Sequence, residues 1–534
     1  MPKIEVKHTS IVINNYEQGD NAQLERTFSV YDSLYHTRFI KGMEFIPEEN
    51  KAIIPRGVDI FWVEKLFNDF ADMNTKHDPM DTIEPIMIKY LPRDDRQKEA
   101  LKFMLGMENY KNNKYKSQLS VNLNTGFGKS YCAIATVSYL KLRSMVIAGN
   151  NNVLDQWKNY ILEYTDTKKN EIYNIIGSYS IEKLFRMSDK ELSKIKLLLA
   201  SHGTIRSYGE ANGWSKITEL FNKLKIGIKI FDEAHLFFDN MCKIDFYTNT
   251  FRTYYLTATP QRSNNEEDII YQYYFKNIPK IDLFDEDQDP HTHYRSIIFT
   301  SEPTPSEVSA CKNKYGLDRN AYTNYLMNKE NYYKILHVVL DLALKHNGKT
   351  LIYIGTNDAI TKTYEWIIEN YPELSDSIGI YTSIIDNAVK AQQLEKRIIL
   401  STTKSCGAAM DIKGLKMTIV LAEPFKSEVL ARQTLGRTRA DNTFYIDIVD
   451  RGFAQINKFY YYKKDTFKKY ALSCEEIKMP KDILNAKVEQ LLEARKSIRQ
   501  TAMLINPIVT GVAGMINPIY VGQPGMINPI EIDR

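Results

Sequence analysis

Apolar residues alternate at Leu119, Val121 and Leu123 with the period of a strand, and Ile134, Val137 and Leu140 then recur with the period of one helix face. A second apolar run, Ile226, Ile228 and Ile230, ends abruptly at Asp232-Glu233. Short apolar strands continue to alternate with helical stretches from about Leu91 to about Asp450. That pattern predicts parallel α/β sheets, and the length holds two of them. The acidic stretch Asp282 to Pro290 marks the boundary zone. Ahead of the sheets, Thr9 to Asn14 reads as β, and a Pro55-Arg56-Gly57 turn leads into a helical stretch, so a small α+β domain is expected. Behind them, Leu484, Val488, Leu491 and Leu492 predict a helix across Asp482 to Ile498.

Asn-Pro-Ile then recurs at Asn506, Asn517 and Asn528 in a Gly- and Pro-containing segment with few charges. Three copies are too few for a solenoid, and proline removes ladder donors, so a flexible tail is expected. Its apolar units, each preceded by an isoleucine, suit docking on a protein partner, with several weak copies adding avidity. The expected organisation is an N-terminal accessory domain, a candidate nucleic-acid binder, at 1–90, α/β domains at 91–285 and 286–460, a helical segment at 461–502 and the tail at 503–534.

Composition adds limits. Hydrophobic residues are 43% and charged residues 25% of 534, and no apolar run approaches the ~18 residues that span a bilayer. The start, MPKIEVKHTS, has no apolar stretch behind a basic end, so the cytoplasm is expected, the host's if the chain is viral. Five scattered cysteines without a C-x-x-C pair argue against zinc and a disulfide framework. A net charge of +4, from 70 basic and 66 acidic residues, permits a polyanion partner without indicating one. The run Tyr460 to Lys469 interleaves aromatics with lysines, as a strand-binding surface or a solvated helix face would.

The chemistry lies in the loop between the first strand and helix. LNTGFGKS, residues 123–130, has Gly128, Lys129 and Ser130 where a phosphate-binding loop needs them, with Leu123 in place of the first glycine and Thr125 and Gly126 within the loop. There, backbone N–H groups and the helix N-terminus can hold phosphate oxygens, Lys129 would neutralise the terminal phosphates and the Ser130 hydroxyl would ligate Mg²⁺. About a hundred residues on, Asp232 would hold the same Mg²⁺ and Glu233 would accept a proton from the attacking water.

On these motifs the chain resembles the superfamily 2 helicases and translocases, in the branch with DEAH at Asp232 to His235, where the first loop position is often alanine. The resemblance implies two RecA-like domains that close on ATP, with Gln97 reading adenine. DQW around Gln156 and Trp157 is similar to motif Ia, LLLASHGTI to Ib, and LTATPQR, with Thr257 and Thr259, to III. KTLIYIGTND is similar to motif IV, and the stretch containing Asp411, which would approach the ribose, to V. RQTLGRTRAD is similar to motif VI, with Gln433, Arg437 and Arg439, but is one residue shorter after Gly436-Arg437 than the family pattern. Both arginines are therefore candidates to line the phosphates. By the same resemblance His235, Thr257, Thr259, Gln156, Trp157 and Gln433 would couple ATP to nucleic acid.

The implied activity is ATP-dependent translocation or unwinding of nucleic acid. DNA is favoured over RNA because the motif forms look most like those of DNA-acting members, and the IIPRGVDIFWVEKL segment is similar to phage recombination helicases of the UvsW type, which implies phage or viral replication, recombination or repair. The alternatives are an RNA helicase and the translocating subunit of a restriction system, for which no nuclease constellation is evident. A catalytically dead scaffold would have no reason to keep Lys129, Asp232, Glu233 and Arg437 together.

Overall fold

The computed structural model describes residues 2–495 apart from 33–36, 74–75, 124–127, 235–236, 258–264, 284–291, 314–315, 383, 404, 407–411 and 426–442. The Asn-Pro-Ile repeats lie outside the described residues. The chain divides into two compact units, Met1–Gln288 and Asp289–Arg534.

The first unit opens with a five-stranded sheet of β1 (Lys3–Val6), β2 (Ser10–Asn14), β3 (Glu44–Ile46), β4 (Lys51–Pro55) and β5 (Asp72–Met73), in the order β3-β4-β2-β1-β5. The expected turn at Pro55 to Gly57 is present, and the Asp59 side chain caps a helix over Ile60–Phe67. A seven-stranded parallel sheet follows, of β6 (Gln118–Leu123), β7 (Ser144–Ala148), β8 (Ile172–Ile175), β9 (Leu197–Ser201), β10 (Ile228–Phe231), β11 (Arg252–Thr257) and β12 (Lys280–Leu283). Its order is β8-β9-β7-β10-β11-β6-β12. Helices α1 (Asp95–Leu105), α2 (Lys129–Leu140), α3 (Asn151–Tyr164), α4 (His202–Asn212) and α5 (Phe238–Phe246) connect or flank these strands. The second unit holds another parallel sheet, β13 (Thr292–Phe299), β14 (Lys349–Ile354), β15 (Ile378–Tyr381), β16 (Ile398–Ser401), β17 (Leu415–Ala422), β18 (Thr443–Asp450) and β19 (Ser473–Lys478). There the order is β15-β16-β14-β17-β18-β13-β19. These are tandem RecA-like domains preceded by a small N-terminal sheet.

Strands covered on both faces should be buried at every position, and β6, β7, β9, β10 and β11 are. Alternate side chains serve different cores. Met145, Ile147, Leu198, Ala200, Phe231 and Tyr255 join one cluster with Ile4, Val6, Ile11, Ile13 and Ile54 of the N-terminal sheet. That sheet therefore shares a core with the first large one. On β6 the even positions are buried polar groups with partners: Gln118 Nε2 donates to the Tyr255 hydroxyl at 2.5 Å and to the Thr9 carbonyl at 3.4 Å, and Asn122 donates to Asp282.

In the second unit, the segment predicted as one helix across 482–498 is two within its described part. The first spans Lys481–Asn485, the backbone is extended at Ala486, and helix resumes over 488–495. The Val488 amide is taken by Glu330 Oε1 at 3.2 Å, which starts the second piece separately. The Tyr460 to Lys469 run falls on α6 (Ala454–Tyr470) and splits by face. Tyr460, Lys463 and Phe467 turn inward, with Lys463 on Asp447 at 2.5 Å, while Tyr461, Tyr462, Lys468 and Lys469 are exposed.

Two buried polar arrangements anchor β10. Lys229 and Asp245 are both wholly buried, with Nζ and Oδ1 2.5 Å apart, and the Tyr255 and Tyr274 hydroxyls also donate to Asp245. Beyond the strand's end, the buried His202 ring is stacked between Phe231 and Phe237, at centroid distances of 5.6 and 4.9 Å. Burial pushes the His202 imidazole down to about 3.

Lys229→Met leaves a buried carboxylate without its counter-charge, and should destabilise the first unit by about 3–5 kcal/mol in chemical denaturation of the full chain. His202 is neutral when folded and protonates near 6.5 when unfolded, so the unfolded state binds the extra proton between those values. Its contribution is therefore constant above pH 6.5 and is lost progressively as pH falls toward 3. Stability of His202→Phe should fall less steeply than wild type between pH 6.5 and 4.5, by up to about 1.4 kcal/mol per pH unit. Thermal unfolding across that range measures the difference.

Candidate functional site

In the sheet order β10-β11-β6, the phosphate-loop sequence follows β6 and the acid pair follows β10, so both leave the C-terminal edge of the sheet one strand apart. That edge is where open parallel sheets bind ligands. Residues 124–127, including Thr125 and Gly126, lie outside the described residues. Gly128 is described, at φ 91°, as the residue that caps α2. Both its conformation and its surroundings require glycine, because a Cβ there would overlap Gln97 Nε2. Gln97 is held for this approach. Its backbone N–H donates to the Asp94 carboxylate at 2.9 Å, and its Oε1 accepts from the Arg93 amide at 2.7 Å.

Lys129 and Ser130 begin α2, so their backbone N–H groups belong to the helix's unpaired first turn. The Lys129 ammonium lies 3.2 Å from Glu233 Oε1, and both side chains are only 9% exposed. Beside them, the Asp232 amide donates to the Ile147 carbonyl at 2.9 Å, and the Ala234 amide to the Leu256 carbonyl at 3.0 Å. The acid pair is thus tied to the ends of β7 and β11. Between those ties Glu233 has φ 49°, a left-handed backbone that non-glycine residues adopt at some cost. Burial, and then the adjacent Glu233 carboxylate, push the Asp232 carboxyl up to about 6, against the lowering effects of Lys129 and of a hydrogen bond from Trp157.

That bond is short. Trp157 Nε1 donates to Asp232 Oδ2 at 2.8 Å, and the indole is 1% exposed. The structure thus places Trp157 with the acid pair, while its neighbour Gln156 is half-exposed and donates to the Tyr160 hydroxyl at 2.7 Å. The inward turn follows from helix geometry: Val153, Leu154, Trp157 and Ile161 form one buried stripe along α3. Thr257 is buried at the end of β11. His235, Thr259, Asp411, Gln433, Arg437 and Arg439 lie outside the described residues.

Sequence reasoning passed over His202 and Phe237. Phe237 also fixes a glycine, since a Cβ on Gly149 would come within 2.8 Å of its ring. This contact joins the segment after the acid pair to the turn between β7 and α3. The apolar flanks of the acid pair were a signal for such packing, but the stacking partner comes from α4, thirty residues away in the chain.

Among the described residues no cluster of three or more His, Cys, Asp or Glu could enclose a metal. The buried Asp232 carboxylate, held at one oxygen by the Trp157 N–H, is an oxygen donor of the kind Mg²⁺ takes, an ion that otherwise keeps several waters and is held by phosphates. Among the described residues no helix is long and apolar enough to cross a membrane.

The family model of the type III restriction enzyme res subunit matches residues 91–262. Transcript termination protein A18 of Yaba-like disease virus is 22% identical over 361 residues, covering 62% of this chain and 67% of that protein. Among solved structures, S. cerevisiae Dbp5 bound to RNA and ADP BeF3 aligns at 14% identity and a TM-score of 0.48, over 74% of this chain and 93% of that one. T4 UvsW aligns at 13% identity and a TM-score of 0.34, over 89% and 99%. Taken with the ordered motifs, the family match over residues 91–262 and the viral relative support a superfamily 2 helicase.

Proposed function

We propose that the chain hydrolyses ATP to move along nucleic acid, DNA in preference to RNA, and to remodel or unwind it. The observation that carries this reading is the convergence of Lys129, Asp232 and Glu233 in one desolvated edge of the first parallel sheet, beside Gln97 on Gly128. Phosphoryl transfer to water asks the protein chiefly for positioning and charge stabilisation, and these residues supply both.

Lys129 would exchange Glu233 for the terminal phosphates when nucleotide enters. Glu233 would then accept a proton from the attacking water. Gln97 would recognise adenine through the amide edge it presents at the phosphate loop. Asp232 and Ser130 would hold Mg²⁺, which supplies charge neutralisation on the phosphates when bound. Arg437 and Arg439, outside the described residues, would bring fixed cations to the phosphates. Contacts to the strand would be made largely through its phosphate backbone, so little sequence preference is expected.

A second reading rests on the viral relative, whose name refers to transcript termination. On that reading the strand displaced is a transcript. The restriction-family match supports translocation on DNA instead.

Lys129→Ala should lose hydrolysis, and Glu233→Gln should keep nucleotide affinity while turnover falls about 10²–10⁴-fold, as for loss of a general base. Steady-state ATPase and equilibrium nucleotide binding check both, and wild-type turnover in either variant would overturn the assignment. Hydrolysis should be stimulated by nucleic acid, with affinity falling steeply with salt. Parallel assays with single-stranded DNA, forked DNA, four-way junctions, RNA and RNA–DNA hybrids decide the polymer. Stimulation by RNA or hybrid alone would replace the DNA reading with the transcript one.

A further inference from the structure

Trp157 is a large side chain whose single polar atom is spent on the acid pair. An indole N–H buried at this depth needs an acceptor. The one it meets is Asp232 Oδ2, at 2.8 Å. A hydrogen bond to an ionised carboxylate is stronger than one to a neutral acceptor, and it fixes the carboxylate's rotation as well as its position.

The consequence follows from counting oxygens. A carboxylate has two, and here Oδ2 faces a rigid ring that cannot turn away, because Trp157 is packed in the buried stripe of α3. The Glu233 backbone N–H also donates to this carboxylate, and Oδ1 is the oxygen that the indole does not hold. The geometry points to Trp157 as a positioning residue for the divalent cation: its N–H holds Asp232 in the orientation that presents Oδ1. This rests on the proposed ATPase reading and adds a residue outside the motif that carries the carboxylate. It also makes α3 part of the cation site. The same helix touches α2 through Tyr164, whose ring meets Tyr131 edge-on at 5.7 Å, so a shift of α3 would be felt at both the acid pair and the phosphate-loop helix.

Trp157→Phe keeps an aromatic ring in the stripe and removes the N–H. In the full chain, binding of a fluorescent, slowly hydrolysed ATP analogue is followed across a Mg²⁺ titration. Wild type is the first arm: if it binds no nucleotide at any Mg²⁺ concentration, the ATPase reading itself fails. If it binds, the Mg²⁺ midpoint of Trp157→Phe should rise about tenfold, the scale of losing one hydrogen bond to a charged group. Affinity at saturating Mg²⁺ should stay within about twofold. A structural tie alone predicts a lower melting temperature with an unchanged midpoint, and that result in the folded variant overturns the inference.

Should Trp157→Phe not fold, the wild-type interaction is read directly. The chain has four tryptophans, and single replacement of Trp62, Trp214 or Trp366 by Phe in 5-fluorotryptophan-labelled protein leaves the Trp157 fluorine signal assigned by elimination. With nucleotide present, that signal should shift during the Mg²⁺ titration with the midpoint seen for binding. A signal that stays fixed while nucleotide binds overturns the inference.

Discussion

The first unit is organised around one unfavourable act, the removal of Lys129, Asp232 and Glu233 from water at the same point. An isolated ion placed in a protein interior loses several kcal/mol of hydration, so the arrangement survives only if every charge has a close partner. Lys129 on Glu233 and the Trp157 N–H on Asp232 provide those partners. The raised Asp232 carboxyl shows that compensation is incomplete. On the proposed reading, a cation entering with the nucleotide would meet the negative charge that the protein alone leaves uncompensated.

Such a site needs a frame that does not relax, and β10 is held accordingly. Three residues before Asp232, Lys229 is locked on Asp245 and on the Thr248 hydroxyl, and Asp245 is locked in turn by two tyrosines. Just beyond them, Phe237 closes over His202 and against Gly149. The N-terminal sheet contributes to the same frame. Thr9 reaches the Thr248 carbonyl and the His8 amide donates to Asn249 Oδ1, so the loop after α5 is fastened from that side. The N-terminal sheet, which shares its core with the first parallel sheet, thus supports that loop through packing.

Much of this was legible in the sequence, and for a definable reason. Strand and helix periods report which side chains avoid water, and the strands ending at Leu123 and Phe231 were visible because apolar alternation stops where glycines and charged residues begin. Lys129, Asp232 and Glu233 could be read together because their residue types are rare in that pattern. Alternation could not show that Gln118 and Asn122 are as buried as Leu119 and Val121, since their partners, Thr9, Tyr255 and Asp282, lie 109 to 160 residues away. The same limit applies to Trp157. Its stripe on α3 was readable, but the acceptor for its N–H lies 75 residues downstream. The break at Ala486 was hidden for a similar reason, because a distant residue, Glu330, takes the Val488 amide.

Glu233 shows how the frame and the chemistry are joined. Its left-handed backbone costs on the order of 1–3 kcal/mol, and nothing in its own side chain favours that conformation. The neighbouring amides account for it: Asp232 must donate to β7 and Ala234 to β11, and a chain that satisfies both within three residues has to turn sharply at the one between. The turn carries the Glu233 side chain toward Lys129 rather than along the strand. An extended residue at 233 would be relieved of strain but would forfeit one of those two bonds and its place beside the lysine. Backbone strain, the desolvated charges and the rigid strand are therefore parts of one arrangement, in which local instability is tolerated because the surrounding hydrogen bonds leave the chain no other path.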